Sequence, residues 1–168
     1  MNRINSLNIA HFFILVMVQI LIFSRINFMG YINPYVYVLY IILYPTKNNR
    51  ALFIILSFLL GLTIDLFSDS GGIHAAASVF IAYVRPLILR FSFGVLYENY
   101  AIKFKNVDFG AKLTYMSLLI ALHHMILFYL EIFSISKILL IFQKTLFSSI
   151  YTVILCFLLP IIFTKKNR

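Results

Sequence analysis

Charged residues are scarce in this sequence, in which Asp, Glu, Lys and Arg make up 11% of 168 residues against ~25% in soluble domains. Hydrophobic residues reach 62%, and the mean hydropathy is +0.98. The apolar residues fall in long blocks, unlike the short alternating runs of an outer-membrane barrel. The composition therefore excludes a soluble globular domain and predicts an all-α integral membrane protein with one transmembrane domain over residues 1–168.

Cysteine is almost absent, and this excludes two kinds of site. Because Cys156 is the only cysteine, neither an internal disulfide nor a Cys-based metal cluster is available. No Ser–His–Asp order, Gly-rich phosphate loop or paired carboxylates occur, so we expect no enzymatic activity, no catalytic residue and no cofactor. His123 and His124 are adjacent, so on a helix they diverge by ~100° and cannot both bind one ion. We expect hydrogen bonds between helices there, with a metal site as the weaker alternative.

The formal net charge of +9 raises the question of a nucleic-acid partner. The basic residues stand singly between apolar blocks, an arrangement that the positive-inside rule of membrane proteins explains without any polyanion. We therefore predict the lipid bilayer, and no nucleic acid, as the binding environment.

The apolar blocks predict a helical bundle of six spans, at about residues 8–24, 31–44, 51–67, 73–89, 113–129 and 145–163. We interpret the first block as a retained span, because no A-x-A-like cleavage site follows Phe23. The second span is short: a helix from Asn33-Pro34 to Tyr44-Pro45 reaches only ~18 Å against a ~30 Å hydrocarbon core. Residues 90–112 mix aromatic and charged side chains, which suits a segment at the membrane interface.

The distribution of basic residues predicts the orientation of the six spans. With both termini in the cytoplasm, eleven basic residues face inward, Arg85 among them, and only Arg25, Lys137 and Lys144 face outward. This orientation places Asp65 and His74 toward the outer face.

The stretch from Phe58 to Arg90 predicts a tightly packed helical hairpin around a break at Gly71-Gly72. Its first arm carries a stripe of small and polar residues at four-residue spacing, and its second arm carries a matching stripe of small residues. The two stripes are Ser57, Gly61, Asp65 and Ser68 on one arm, and Ala75, Ser78 and Ala82 on the other. We expect these faces to pack against each other as an antiparallel pair.

Asp65 carries a carboxylate inside a predicted span. Because burying a charge there costs a few kcal/mol, a functional role for Asp65 is the default hypothesis. A structural role is the competing interpretation, with water, His74 or backbone N–H groups at the start of the fourth span as partners. A proton relay would need a longer series of polar groups than the inner halves of these spans provide. The structural interpretation predicts that Asp65→Asn is tolerated.

Tyrosines are concentrated in the second span. Tyr37 and Tyr40 lie too far from its ends for an interfacial aromatic belt, so a protein-facing groove is one interpretation and ordinary core packing is the other.

The order of these elements resembles a known family. One set of residues resembles the signature stretch of the rod shape-determining protein MreD family. The set is Gly61, Asp65-Leu66-Phe67-Ser68, Gly72, Ala75 and Ala82-Tyr83. Upstream, Asn33-Pro34, the aromatic second span and Tyr44-Pro45 before a basic turn are similar to that family's second span. Arg85-Pro86 departs from the pattern.

The resemblance implies a non-enzymatic scaffold in the bacterial cytoplasmic membrane that binds MreC and supports cell-shape maintenance. In that complex it would work with the RodA glycosyltransferase, a class B penicillin-binding protein and the MreB filament. The implied fold is similar to the substrate-binding S-components of energy-coupling-factor vitamin transporters, and such a component is the alternative function. The first span lacks the small-residue pair with which an S-component docks its transport partner. The candidate structural or partner-interface residues are Tyr37, Tyr40, Gly61, Asp65, Ser68, Gly72, His74, Ala75, Ser78 and Ala82.

Overall fold

The computed structural model describes residues 6–23, 32–46, 49–94 and 107–163, and these are almost entirely helical. Six α-helices occur in the described ranges, and a 3₁₀ turn at Ile135–Lys137 precedes the last of them. They are α1 (Ser6–Leu21), α2 (Val38–Leu43), α3 (Arg50–Ser68), α4 (Ile73–Phe93), α5 (Phe109–Ile132) and α6 (Ile138–Phe163). The prediction of an all-α protein is thus confirmed.

Four of the helical segments are long and apolar enough to cross a membrane: Arg50–Ser68, Ile73–Phe93, Phe109–Ile132 and Ile135–Leu159. The α1 helix adds a shorter apolar segment, Ile9–Leu21. Large apolar side chains are widely exposed on the outside of the bundle, among them Leu66 (76%) and Phe91 (75%). An apolar exterior of this kind is typical of a multi-pass membrane protein, because lipid tails cover it.

The second predicted span differs from the structure. A helix was expected from Asn33-Pro34 onward, but α2 has six residues and a length of only ~9 Å, and residues 32–37 are not helical. The backbone of this stretch instead binds the Gln19 side chain, which donates to the Pro34 carbonyl oxygen and accepts from the Val36 N–H. All of α2 from Val38 to Ile42 is buried in the centre of the bundle.

The remaining helices pack in chain order: α3 against α4, α4 against α5, and α5 against α6. Several are longer than expected from the sequence. The α4 helix continues through Pro86 to Phe93, α5 begins at Phe109, and α6 begins at Ile138 rather than near Thr145. The expected interfacial segment therefore contributes to α4 and α5 at its two ends, and residues 95–106 lie outside the described ranges.

Candidate functional site

The hairpin of α3 and α4 brings two backbones into direct contact at Gly61. A Cβ atom built on Gly61 would lie 2.5 Å from the Cα of Ala75 and 2.6 Å from its nitrogen, and it would also collide with the His74 carbonyl oxygen. Only glycine fits this position. Ala75, Ser78 and Ala82 are all buried, so the α4 face next to α3 carries the small residues that the sequence predicts.

Asp65 joins the two arms one helical turn beyond Gly61. Its Oδ1 accepts hydrogen bonds from the backbone N–H of His74 (3.0 Å) and the Ser70 hydroxyl (2.6 Å), and its Oδ2 accepts from the N–H of Ala75 (2.8 Å). The first N–H groups of a helix have no partner within the helix, so the carboxylate satisfies free donors at the positive end of α4. These are the backbone partners expected from the sequence.

Gln19 of α1 holds the non-helical backbone that precedes α2. Its Nε2 donates to the Pro34 carbonyl oxygen (3.0 Å), and its Oε1 accepts from the N–H of Val36 (2.7 Å). The side chain is 2% exposed. Because non-helical backbone at membrane depth must find partners inside the protein, one glutamine here replaces two missing helical hydrogen bonds.

Polar side chains of α5 and α6 support the same segment from the other side. The Ser148 hydroxyl accepts from the Asn33 N–H, and the Thr152 hydroxyl accepts from the Tyr35 N–H, both at 3.3 Å. Thr152 in turn lies 3.2 Å from Nε2 of His124, whose Nδ1 is 2.8 Å from the Ile120 carbonyl oxygen. Since a carbonyl only accepts, Nδ1 of His124 carries the proton and Thr152 donates to Nε2.

The Tyr37 hydroxyl connects two histidines at the centre of the bundle. It lies 2.8 Å from Nδ1 of His74 and 2.7 Å from Nε2 of His123, and the tyrosine is completely buried. The remaining nitrogen of His123, Nδ1, has no hydrogen-bond partner among the described residues. These contacts are the interhelical bonds expected for His123, and the described ranges contain no group of three His, Cys, Asp or Glu side chains arranged to hold a metal ion.

Tyr40 lies in α2 and belongs to an aromatic cluster. Its ring meets Phe12 and Tyr44 edge-on, with centroids 5.5 and 5.8 Å apart, and Tyr44 stacks on Phe53 at 4.6 Å. Tyr40 is therefore packed in the core, which is the second of the two interpretations given by the sequence.

Arg85 satisfies the carboxyl end of α2 from inside α4. Its Nη2 donates to the carbonyl oxygens of Ile42 (3.2 Å) and Tyr44, and its Nε donates to the Tyr115 hydroxyl (2.7 Å). Tyr115 also donates to the Ile42 carbonyl oxygen (3.1 Å), and the Arg85 guanidinium lies 5.0 Å from the centroid of the Phe53 ring. Arg85 is 4% exposed. In the part of the chain that the structure describes, no carboxylate pairs with Arg85, and its hydrogen-bond acceptors are the Tyr115 hydroxyl and two carbonyl oxygens at the end of α2.

This position corrects one part of the sequence interpretation. Arg85 was counted among the basic residues on the cytoplasmic side, but it lies inside the bundle. Without it the inward count is ten against three, so the expected orientation is unchanged.

A cavity of about 620 Å³ lies beside the turn between α3 and α4. It is bordered by the first turn of α4, the non-helical residues before α2 and the end of α5. Its walls include Gln19, Asn33, Tyr35, Ile64, Ser68, Asp69, Ser70, His74, Leu127 and Glu131. Polar and apolar groups therefore share one concave surface of a size typical of small-molecule sites.

The ten candidate residues separate into two groups by exposure. Eight lie inside the bundle and contact the chain itself: Tyr37, Tyr40, Gly61, Asp65, His74, Ala75, Ser78 and Ala82. Ser68 is exposed and Gly72 is half-buried at the α3–α4 turn, so these two are accessible from outside.

Sequence reasoning missed the polar side chains that hold residues 32–46. Each of three such residues, Gln19, Arg85 and Thr152, lies in an apolar helix. An ionisable residue inside a span, such as Arg85, indicates by itself a position with a specific partner. Their targets are backbone groups of a broken helix, which the sequence predicted as continuous.

Comparison with known proteins adds no relative to this description. No family model, no curated protein and no solved structure matches the chain. The fold supports the class of helical membrane proteins, because four helices in the described ranges are long and apolar enough to span a membrane.

Proposed function

We propose that the chain is a non-enzymatic membrane scaffold subunit of the bacterial cell-wall elongation complex, similar to the MreD family. In this proposal it binds MreC directly and belongs to the same complex as RodA, a class B penicillin-binding protein and the MreB filament. The resemblance of residues 33–90 to the family's signature stretch supports the proposal.

The observation that carries the proposal is the closure of the α3–α4 hairpin. Gly61 lies on the Ala75 backbone, and Asp65 binds two N–H groups of α4, so these two residues of the motif have a mechanical role. A motif that fixes two helices to each other is what a scaffold requires, because a partner then meets a rigid surface.

The buried polar groups have the same character. Four buried polar side chains bind backbone groups, either at helix ends or in non-helical chain. They are Gln19, Asp65, Thr152 and Arg85. Such bonds maintain a shape. The Thr152 hydroxyl lies next to Nε2 of His124, but both side chains are completely buried and Thr152 also accepts from the Tyr35 N–H. This use of polar groups favours a structural function over an enzymatic one.

We further propose six spans in the cytoplasmic membrane with both termini in the cytoplasm. The four long helices would be four of the spans, α1 would be the first, and residues 32–46 with α2 would form the second. The short second crossing is acceptable because protein surrounds Val38 to Ile42, five of the six residues of α2.

The transporter alternative has less support. An S-component would need small residues on α1 to dock a transport partner, but the exposed face of α1 carries bulky residues, Ile9, Phe13 and Met17. The scaffold is therefore the function that we retain.

Depletion of the protein in a rod-shaped host tests this proposal against the alternative. We expect depleted cells to become round while their vitamin uptake remains intact. Cells that kept their rod shape and lost uptake of a vitamin would instead identify a transporter subunit.

A further inference from the structure

The turn between α5 and α6 presents large apolar side chains at its tip. The α5 helix ends at Ile132 and α6 begins at Ile138, so only a short segment joins them. Within this segment Phe133 is 77% exposed and Ile135 is 81% exposed, the two highest values among the large apolar residues that the structure describes. Apolar surface of this size is stabilised by leaving water, so the environment of the tip needs an explanation.

Phe133 also has an unfavourable backbone conformation. It caps α5 with φ 40° and ψ 44°, in the left-handed region where glycine is the usual residue and bulky residues are uncommon. Its N–H donates to the Tyr129 carbonyl oxygen (2.9 Å), and its ring centroid lies 6.3 Å from that of Tyr129. Because most of Phe133 stays uncovered beside Tyr129, an apolar environment outside the chain is what would offset this strain.

The length of α5 places the tip near the surface of a bilayer. The 24 residues of α5 extend over ~36 Å at 1.5 Å per residue, against a hydrocarbon core of ~30 Å. A helix of this length that crosses the core ends among the lipid headgroups. The turn is too short to carry Phe133 and Ile135 far from that level.

The charges around the tip suit phospholipid headgroups. Lys137 is exposed, and the turn itself contains no carboxylate. The nearby Glu131 is neutralised by Lys144 at 2.9 Å, and the Lys144 ammonium also lies 4.8 Å from the centroid of the Phe128 ring. A lysine beside apolar residues can keep its ammonium at the phosphates while those residues enter the boundary between headgroups and acyl chains.

The apolar surface of the tip continues along α6. Ile138, Leu139 and Phe142 are exposed in the first turns of this helix. The segment Ile135–Leu159 is long and apolar enough to cross a membrane, so lipid covers the exposed side chains of α6. Because the surface is continuous, the same lipid reaches the tip, and we favour lipid over a protein partner there.

We propose that the α5–α6 turn is a lipid anchor, in which Phe133 and Ile135 insert between the headgroups and the acyl chains and Lys137 lies at the phosphates. The anchor fixes the depth of this end of the bundle in the bilayer. It goes beyond the scaffold function and does not depend on it.

The chain contains no tryptophan, so a single introduced tryptophan reports its own position. Phe133→Trp and Ile135→Trp are measured separately in the full-length protein, reconstituted in phosphatidylcholine nanodiscs whose lipids carry bromine atoms either close to the headgroup or close to the ends of the acyl chains. Both positions are exposed, so both variants should fold. We expect emission that is blue-shifted from that of N-acetyl-tryptophanamide in water, and stronger quenching by the bromine atoms close to the headgroup.

Ile150→Trp is the matched control, because Ile150 is also exposed but lies midway along α6. Its tryptophan should be quenched more strongly by the bromine atoms close to the chain ends. Emission like that of N-acetyl-tryptophanamide from both turn variants, with strong quenching by aqueous iodide and none by either brominated lipid, would place the tip in water and overturn the proposal. A quenching profile equal to that of Ile150→Trp would place the tip in the hydrocarbon core and would overturn it as well.

Discussion

Gly61 and Ala75 contact each other through their backbones, at a distance that leaves no room for a single methyl group. The Cα and N of Ala75 lie 2.5 and 2.6 Å from the point that a Gly61 Cβ would occupy. Both partners are backbone atoms of α4, so no rotation of a side chain can relieve the collision. The spacing of α3 and α4 is therefore set at this one residue.

We predict that Gly61→Ala destabilises the protein although alanine is the better helix former. The added methyl forces α3 and α4 apart, an overpacking cost of roughly 1–3 kcal/mol or more. Gly110→Ala is the control, because its Cβ would meet one oxygen of the exposed Asp108 side chain, at 3.0 Å, and no backbone of a neighbouring helix. Melting of the helical circular-dichroism signal in detergent measures both variants, and equal melting temperatures would contradict the prediction.

Asp65→Asn is predicted to be destabilising, which differs from the tolerance expected from the sequence. Both carboxylate oxygens accept from N–H groups, so an amide must turn its NH₂ toward one of these donors. A buried N–H left unpaired costs roughly 1–3 kcal/mol. Asp69→Asn, on the exposed side of the same turn, provides the matched control in a denaturant titration. A loss of stability no larger than that of the control would contradict the prediction.

Arg85→Lys is predicted to loosen the carboxyl end of α2. A guanidinium reaches Tyr115 and two carbonyl oxygens simultaneously from a fixed plane, whereas a lysine ammonium cannot match that geometry. We expect a loss of roughly 1–3 kcal/mol, measured by thermal melting. Arg50→Lys serves as control, because Arg50 is exposed and makes one long bond, 3.4 Å, to the Tyr83 carbonyl oxygen. If the two variants melted alike, the buried arginine would have no special structural role.

The sequence was informative where packing follows from periodicity. The stripe of Gly61 and Asp65 and the small residues of α4 predicted a helical pair, since four-residue spacing places side chains on one face. The second span could not be predicted in the same way. An apolar run such as Val36 to Leu43 is compatible with a continuous helix, and its interruption depends on Gln19 and Arg85, which are distant in sequence.

The orientation in the membrane is testable with single cysteines. A cysteine at Lys137 should react with a membrane-impermeant thiol reagent in intact cells, and one at Lys166 should be protected, because ten basic residues are expected inside and three outside. The native Cys156 is completely buried, so its background labelling should be small. Labelling of Lys166→Cys with protection of Lys137→Cys would reverse the topology.

The most direct test of the scaffold function is recovery of MreC with the tagged protein after mild detergent extraction. The unmodified chain and Gly110→Ala should both recover MreC, whereas Gly61→Ala should lose it as the α3–α4 hairpin opens. The membrane level of each variant must be measured in parallel. Failure of the unmodified, normally accumulated protein to recover any MreC would contradict the proposed function.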